Sequence, residues 1–119
     1  MDEDSKFTII KNKELKNAII MALADDITRR ILDSTISQSK TVEQIIAEKK
    51  IPHTSAYRKV EWLLSKQLLF IEKIKRNKIK ESRFLLARFI SIIIEYQHGL
   101  IEIRILLNKN INEMKKKCK

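Results

Sequence analysis

TVEQIIAEKKIPHTSAYRKVEWLLSKQLL, residues 41–69, has the pattern of two short helices separated by a tight turn. Thr41 is followed three positions later by Gln44, which is the spacing of a capping box and predicts the start of the first helix. Pro52 has no backbone donor and disfavours helix at the residue before it. The first helix is therefore expected to end at Lys49–Ile51.

The second helix of this pair is expected to present a basic and aromatic surface. Thr54 or Ser55 is the expected N-cap. The apolar residues that recur at helical spacing are expected to face the core; they are Ala56, Val60, Leu63 and Leu64. Tyr57 and Arg58 lie between them and face outward. This arrangement predicts a helix-turn-helix whose recognition helix covers about residues 54–66.

Residues 70–86, which follow directly, are predicted to form a basic β-hairpin. Asn77 favours a turn, and the tip is expected at Lys75–Lys78. The segment contains only two acidic residues but six basic ones, which are Lys73, Lys75, Arg76, Lys78, Lys80 and Arg83. Cations that contact phosphates give affinity without sequence preference. The hairpin therefore has the composition of a DNA-gripping wing, the alternative being a hairpin that is merely solvated.

Two further helices are predicted before this region. Asn12 is expected to cap a helix whose apolar positions are Leu15, Ile19, Ile20 and Leu23. Asp25 and Asp26 are expected to cap the next one, because carboxylates are favoured by the unpaired N–H groups and the dipole of a helix start. Capping explains this acidic pair without a metal or acid chemistry.

Residues 88–107 fit two structures. Isoleucines alternate with polar residues on both sides of Gly99, which is the pattern of a β-hairpin with a glycine turn. A heptad seam of a dimerising helix also fits, at Leu86, Phe89, Ile93, Tyr96, Leu100, Ile103 and Leu107. The hairpin is preferred because isoleucine suits a pleated surface better than a helix.

Composition limits the class of protein. At 119 residues one domain is expected, and a net charge of +10 points to a polyanion such as nucleic acid or, equally, to a lysine-rich surface. Cys118 is the single cysteine, which excludes an internal disulfide and indicates a reducing, cytoplasmic location. No signal peptide is apparent. No apolar run approaches 18 residues, so no membrane span is expected.

Two stretches resemble the ArsR-like superfamily of winged helix-turn-helix regulators, especially a compact archaeal type. They are residues 22–32 (ALADDITRRIL) and residues 51–60 (IPHTSAYRKV). Residues 84–105 are similar to a C-terminal strand hairpin of some archaeal members. Metal-sensing members place cysteines or a His/Asp cluster on their helices. That pattern is missing here, so no metal or other cofactor is expected.

The resulting fold prediction is α+β. It is a winged helix-turn-helix with three to four core helices and a basic β-hairpin wing, followed by an appended C-terminal β-hairpin. The segments are an N-terminal segment (1–12), a DNA-binding domain (13–87), a hairpin that is a candidate dimerisation element (88–107) and a basic tail (108–119).

The predicted function is sequence-specific binding of double-stranded DNA by a homodimeric transcriptional regulator, with the recognition helix in the major groove and the wing on the phosphates. The residues expected at DNA are Thr41, His53, Thr54, Ser55, Tyr57, Arg58, Lys59, Lys73, Lys75, Arg76, Lys78 and Lys80. Arg58 is expected at a guanine edge or at a phosphate.

Other functions fit the same sequence. They are a nucleoid-type architectural protein without sequence preference and a winged-helix module that binds proteins of the transcription machinery. No enzyme is expected, because the sequence has no glycine-rich phosphate loop, no nucleophile paired with a base and no metal-ligand cluster.

Overall fold

Four helices precede four of the five strands in the computed structural model, which describes residues 6–108. The predicted α+β class is confirmed. The elements are β1 (Thr8–Ile10), α1 (Lys13–Ala24), α2 (Asp26–Ser34), α3 (Val42–Lys49), α4 (His53–Ser65), β2 (Leu69–Arg76), β3 (Glu81–Ala87), β4 (Phe89–Gln97) and β5 (Leu100–Leu107). The expectations for residues 1–5 and 109–119 lie outside the described residues.

Side-chain caps start the first three helices as the sequence predicts. The Oδ1 atom of Asn12 accepts a hydrogen bond from the backbone N–H of Leu15 at 2.8 Å. Asp25 caps α2 in the same way, accepting from the N–H of Thr28 at 2.9 Å. At the start of α3, Thr41 forms the expected capping box. These caps satisfy N–H groups that have no partner inside a helix.

The start of α4 differs from the prediction. Pro52 is the N-cap, with φ −61° and ψ 139°, and α4 has no side-chain cap. The carbonyl of Pro52 accepts the first helical bond, from the N–H of Ala56 at 2.9 Å. The expected cap at Thr54 or Ser55 is therefore wrong, because the proline that ends one helix also begins the next. Both residues lie inside the first turn of α4.

Strands β2 and β3 form a two-stranded antiparallel sheet, as predicted. The turn runs over residues 77–80, two positions beyond the expected tip at Lys75–Lys78. Asn77 organises it: its Oδ1 atom accepts from the N–H groups of Ile79 and Lys80, both at 2.8 Å. An isolated antiparallel bridge between Lys40 and Leu85 ties this hairpin to the segment before α3.

The second sheet has the order β1-β5-β4, and all of its strands are antiparallel. Strands β4 and β5 are joined by a turn at His98 and Gly99, both with positive φ. The predicted C-terminal hairpin is confirmed, and the heptad alternative is wrong. The period-two alternation decides the structure because it lets the isoleucine rows of both strands pack on one face.

The helices and both sheets share one core. Its fully buried members include Ile19, Ile31, Ile45, Val60, Leu63, Leu85, Ile103 and Ile105. Since β5 supplies two of them, the C-terminal hairpin is packed into the same core as the helices. Asn108, predicted to begin the tail, is buried, and its side-chain amide donates to the carbonyls of Ile36 and Ala87.

Candidate nucleic-acid interface

Helix α4 exposes the side opposite its core stripe. Ala56, Val60 and Leu63 are buried, as expected from their helical spacing. The exposed residues of the first two turns are His53, Thr54, Tyr57 and Arg58, while Ser55 is half-buried. Four of the six α4 residues predicted at DNA are therefore accessible along the N-terminal half of the helix.

Lys59 is turned away from this exposed side. It is half-buried, and its Nζ atom lies 3.5 Å from Oδ1 of Asp25, the N-cap of α2. The pKa of Asp25 is lowered, chiefly by the hydrogen bond from the N–H of Thr28 and also by the charge of Lys59. Trp62 is half-buried and packs against the core.

A second contact connects the starts of α3 and α4. The hydroxyl of Tyr57 donates to Oε2 of Glu43 at 2.6 Å, and the ring of Tyr57 stacks on that of His53 with centroids 6.4 Å apart. The hydrogen bond from Tyr57 is the main cause that lowers the pKa of Glu43; the charges of Lys80 and His53 act in the same direction. The same bond raises the pKa of Tyr57.

An ion pair joins the β2–β3 hairpin to α4 beside this cluster. The Nη2 atom of Arg83 on β3 lies 2.5 Å from Oε2 of Glu61 on α4. Arg83 also lies close enough to Tyr57 for its charge to act against the rise in the pKa of that phenol. Lys80, next to the hairpin tip, lies close enough to Glu43 of α3 for its charge to help lower the pKa of that carboxyl, so the tip half of the hairpin lies beside α3 and α4.

Basic side chains lie on both faces of the hairpin. Lys73 pairs with Phe84 across the strands, and the Nζ atoms of Lys73 and Lys75 lie 4.9 and 5.5 Å from the centre of that ring. Arg76 and Arg83 belong to the other face, because successive residues of a strand point to opposite sides. On that second face both arginines have acidic partners, Arg83 with Glu61 and Arg76 with Glu81, whereas Lys73 and Lys75 lie over the Phe84 ring on the first face.

The tip of the hairpin combines charge with an exposed apolar side chain. Lys78 and Lys80 are exposed, and Arg76 pairs with Glu81 at 3.4 Å. Ile79, between the two lysines, is 92% exposed, more than any other large apolar residue described. Single exposed apolar side chains are common on protein surfaces, so the exposure of Ile79 does not by itself assign a partner.

Thr41, which was predicted to contact DNA, has both its hydroxyl and its backbone N–H engaged in the capping box of α3. Its hydroxyl accepts from the N–H of Gln44 at 3.2 Å, and its own N–H donates to Oε1 of Gln44 at 3.0 Å. Thr41 is buried, so its amide is not open to a phosphate. Its role is to begin α3.

Four residues at this surface are absent from the predicted contact list. They are Glu43, Glu61, Ile79 and Arg83. The two glutamates were missed because their partners lie 14 and 22 positions away in sequence, where local spacing gives no signal. Ile79 could have been found from KRNKIK, since a lone apolar residue among cations at a turn has no place in a core.

The part of the chain that the structure describes contains no group of three or more His, Cys, Asp or Glu residues placed to hold a metal ion. Within residues 6–108, no helix is both long enough and apolar enough to cross a membrane.

No protein-family model, curated protein or solved structure matches this chain. The resemblance of residues 22–32 and 51–60 to ArsR-like regulators therefore stays a prediction.

Proposed function

We propose that this protein is a non-enzymatic regulator of transcription that binds double-stranded DNA through a winged helix-turn-helix. In this assignment α3 and α4 are the helix-turn-helix, α4 is the recognition helix and the β2–β3 hairpin is the wing. The order of helices and hairpin, and the bridge from Lys40 to Leu85 that joins the wing to the segment before α3, both support it.

One observation carries the proposal. The exposed turns of α4 and the basic hairpin lie side by side, and the Arg83–Glu61 ion pair joins them. An α-helix fits the major groove, while a basic hairpin next to it reaches the flanking phosphates. The two elements therefore present one surface to a duplex.

Arg58 is the best candidate for reading sequence. It is exposed between Thr54 and Glu61 on the outer side of α4, and no hydrogen bond or ion pair engages its guanidinium within the described residues. A guanidinium can bind the O6 and N7 atoms of guanine together, which contributes roughly 1–3 kcal/mol of discrimination. The neighbouring Thr54 and Tyr57 would contact phosphates or a thymine methyl group.

The wing supplies affinity that does not depend on sequence. Lys73, Lys75, Arg76, Lys78 and Lys80 are exposed along it, and each phosphate that they neutralise releases counterions. At the tip, Ile79 lies between two lysines, which places an apolar side chain where the wing would enter the minor groove.

A single winged helix reads a short site, so we propose that the protein acts as a homodimer on a two-fold sequence. DNA binding of this kind, together with the single cysteine of the chain, supports a cytoplasmic location.

Selection of bound duplexes from a random pool, at a low and a high salt concentration, tests the proposal. The expected result is enrichment of one short inverted repeat that persists at high salt, with binding that weakens steeply as salt rises. Enrichment of no sequence, with strong binding at low salt only, would instead indicate an architectural protein. No binding to any duplex would indicate a module that binds proteins.

A further inference from the structure

The β1-β5-β4 sheet leaves a long strand at its edge. Strand β4 pairs with β5 on one side, and no described strand pairs with its other side. It has nine residues, FISIIIEYQ, with no proline and no lysine. Exposed edge strands of this kind bind further strands, and natural proteins normally protect them with charges, prolines or covering elements.

The backbone groups on this edge can be assigned from the hairpin. Gln97 and Leu100 flank its two-residue turn and pair with each other, which makes them a hydrogen-bonded pair. Pairs alternate along an antiparallel ladder. The N–H and C=O groups of Ile92, Ile94 and Tyr96 therefore point to the free edge.

The side chains of the hairpin are apolar at its tip and leave an apolar groove at its base. Near the tip, Tyr96 is 71% exposed and lies on the same face of the sheet as Ile92 and Ile94. At the base, the first residues of β4, helix α2 and the end of α1 border an open groove of about 370 Å³, whose lining includes the apolar Leu23, Leu32, Ile36, Phe89 and Ile92 and the charged Arg29. One hairpin thus carries both an apolar projection and an apolar recess.

The charges of this hairpin allow two copies of the chain to approach. Residues 89–107 contain no lysine, and their single arginine, Arg104, pairs with Glu95 at 3.2 Å and with Glu102 at 3.8 Å. The chain as a whole has a net charge of +10. Two molecules would repel each other at the basic wing, but not at this hairpin.

We propose that a second copy of this chain pairs with the free edge of β4, antiparallel and related by a two-fold axis near Ile94. This pairing aligns Tyr96 of each copy with Ile92 of the other, so that the projecting tip of one hairpin meets the groove of its partner. The two sheets join into one of six strands. A two-fold axis requires such a self-complementary surface, and the projection and the recess supply it.

The oligomeric state of the full chain, measured by sedimentation velocity without DNA, tests this interface. Wild-type protein is expected to be a dimer. Ile94→Lys places a charge on the edge and is expected to weaken dimerisation at least about tenfold. Ile9→Lys is the matched control: Ile9 is 48% exposed and Ile94 41%, but Ile9 lies on β1 at the opposite edge of the same sheet. It should remain a dimer.

A monomeric wild-type protein, or a dimer that survives Ile94→Lys, would overturn the proposal, as would a dimer broken by Ile9→Lys alone.

Amide hydrogen exchange of the wild-type protein gives a second test that does not depend on any variant folding. The N–H groups of Ile92, Ile94 and Tyr96 should be protected in the dimer and exchange faster on dilution. Fast exchange of these three N–H groups at every protein concentration would contradict the proposed pairing of two β4 strands. This interface rests on the homodimer of the proposed function; because neither experiment contains DNA, failure here would leave the proposed DNA-binding surface of α4 and the wing standing.

Discussion

The hydroxyl of Tyr57 on α4 donates a 2.6 Å hydrogen bond to the carboxylate of Glu43 on α3 and so ties the starts of the two helices together. This pair lies at the surface proposed to meet DNA. Its effect on the two pKa values makes the contact measurable, because a pKa that differs between the folded and unfolded states makes stability depend on pH.

Tyr57→Phe removes the hydroxyl and keeps the ring. Because the pKa of Glu43 is lowered in the folded protein, the hydrogen bond stabilises the fold fully at pH values above the ordinary pKa of about 4.5. This stabilisation is lost as the pH falls through the lowered pKa and Glu43 becomes protonated. Because the pKa of Tyr57 is raised in the folded protein, the same stabilisation is fully present at pH values below the ordinary pKa of about 10.0. It is lost as the pH rises through the raised pKa and the phenol loses its proton.

Urea unfolding of both proteins across this pH range measures the difference. Between the two limits, wild type should be more stable than Tyr57→Phe by up to about 1 kcal/mol, a small figure because both groups are partly in water. The difference should shrink toward zero at either extreme. A difference that stays constant down to strongly acidic pH would show that the hydroxyl does not bind the carboxylate.

Thr41→Ala tests the start of α3. The variant loses the buried capping box, so its free energy of unfolding should fall by about 0.5–2 kcal/mol. Thr54→Ala is the matched control, since Thr54 is exposed within α4 and caps nothing. The control should change stability by less than about 0.5 kcal/mol. Equal losses from the two substitutions would mean that Thr54 caps α4 after all.

Glu61→Gln tests the ion pair between the wing and α4. The substitution removes a negative charge from the proposed DNA surface and releases Arg83, so affinity for a duplex of arbitrary sequence should rise about three- to tenfold at low salt. Because Glu61 is exposed, the pair itself stabilises the fold by only about 0.2–1 kcal/mol.

Glu102→Gln is the control for this measurement. It makes the same change in net charge on β5, where Glu102 pairs with Arg104 in the C-terminal hairpin. Fluorescence anisotropy with one labelled duplex compares the two variants. If both raise affinity equally, the effect comes from net charge alone and the surface around Glu61 has no special part in binding.

Much of the fold follows from local signals in the sequence. The caps at Asn12, Asp25 and Thr41 and the turn at Gly99 each depend on residues within three positions of one another, and the structure has all of them. Local reasoning failed at Pro52, where one residue ends a helix and caps the next. A proline inside a sequence pattern signals the end of one helix, but the pattern does not show that its carbonyl accepts the first bond of the next.

The candidate surface was less predictable, because long-range packing determines it. Tyr57 and Arg58 point outward as their spacing in α4 predicts, yet Lys59 is drawn to Asp25 on the far side of the helix. The pairs that hold the surface together, such as Arg83 with Glu61, join residues far apart in sequence. Residue spacing cannot reveal such partners.

Arg58→Ala tests the reading of sequence. The variant should lose roughly 1–3 kcal/mol of preference for the selected duplex over a scrambled one of equal length. Its stability should hardly change, because the side chain is exposed. Arg29→Ala on α2, whose guanidinium pairs with Asp26, is the control and should keep the preference. If Arg58→Ala weakens binding to both duplexes equally and keeps the preference for the selected one, Arg58 contacts a phosphate and does not read a base.

The most direct test of the DNA-binding surface is a titration of isotope-labelled protein with the selected duplex, followed by backbone amide resonances. The proposed function predicts that shifts concentrate in the first two turns of α4, from His53 to Arg58, and in the wing from Lys73 to Lys80. Strands β4 and β5 should be largely unaffected. Shifts confined to the β4–β5 hairpin, or saturable binding with no change in α4, would contradict the assignment of α4 as the recognition helix.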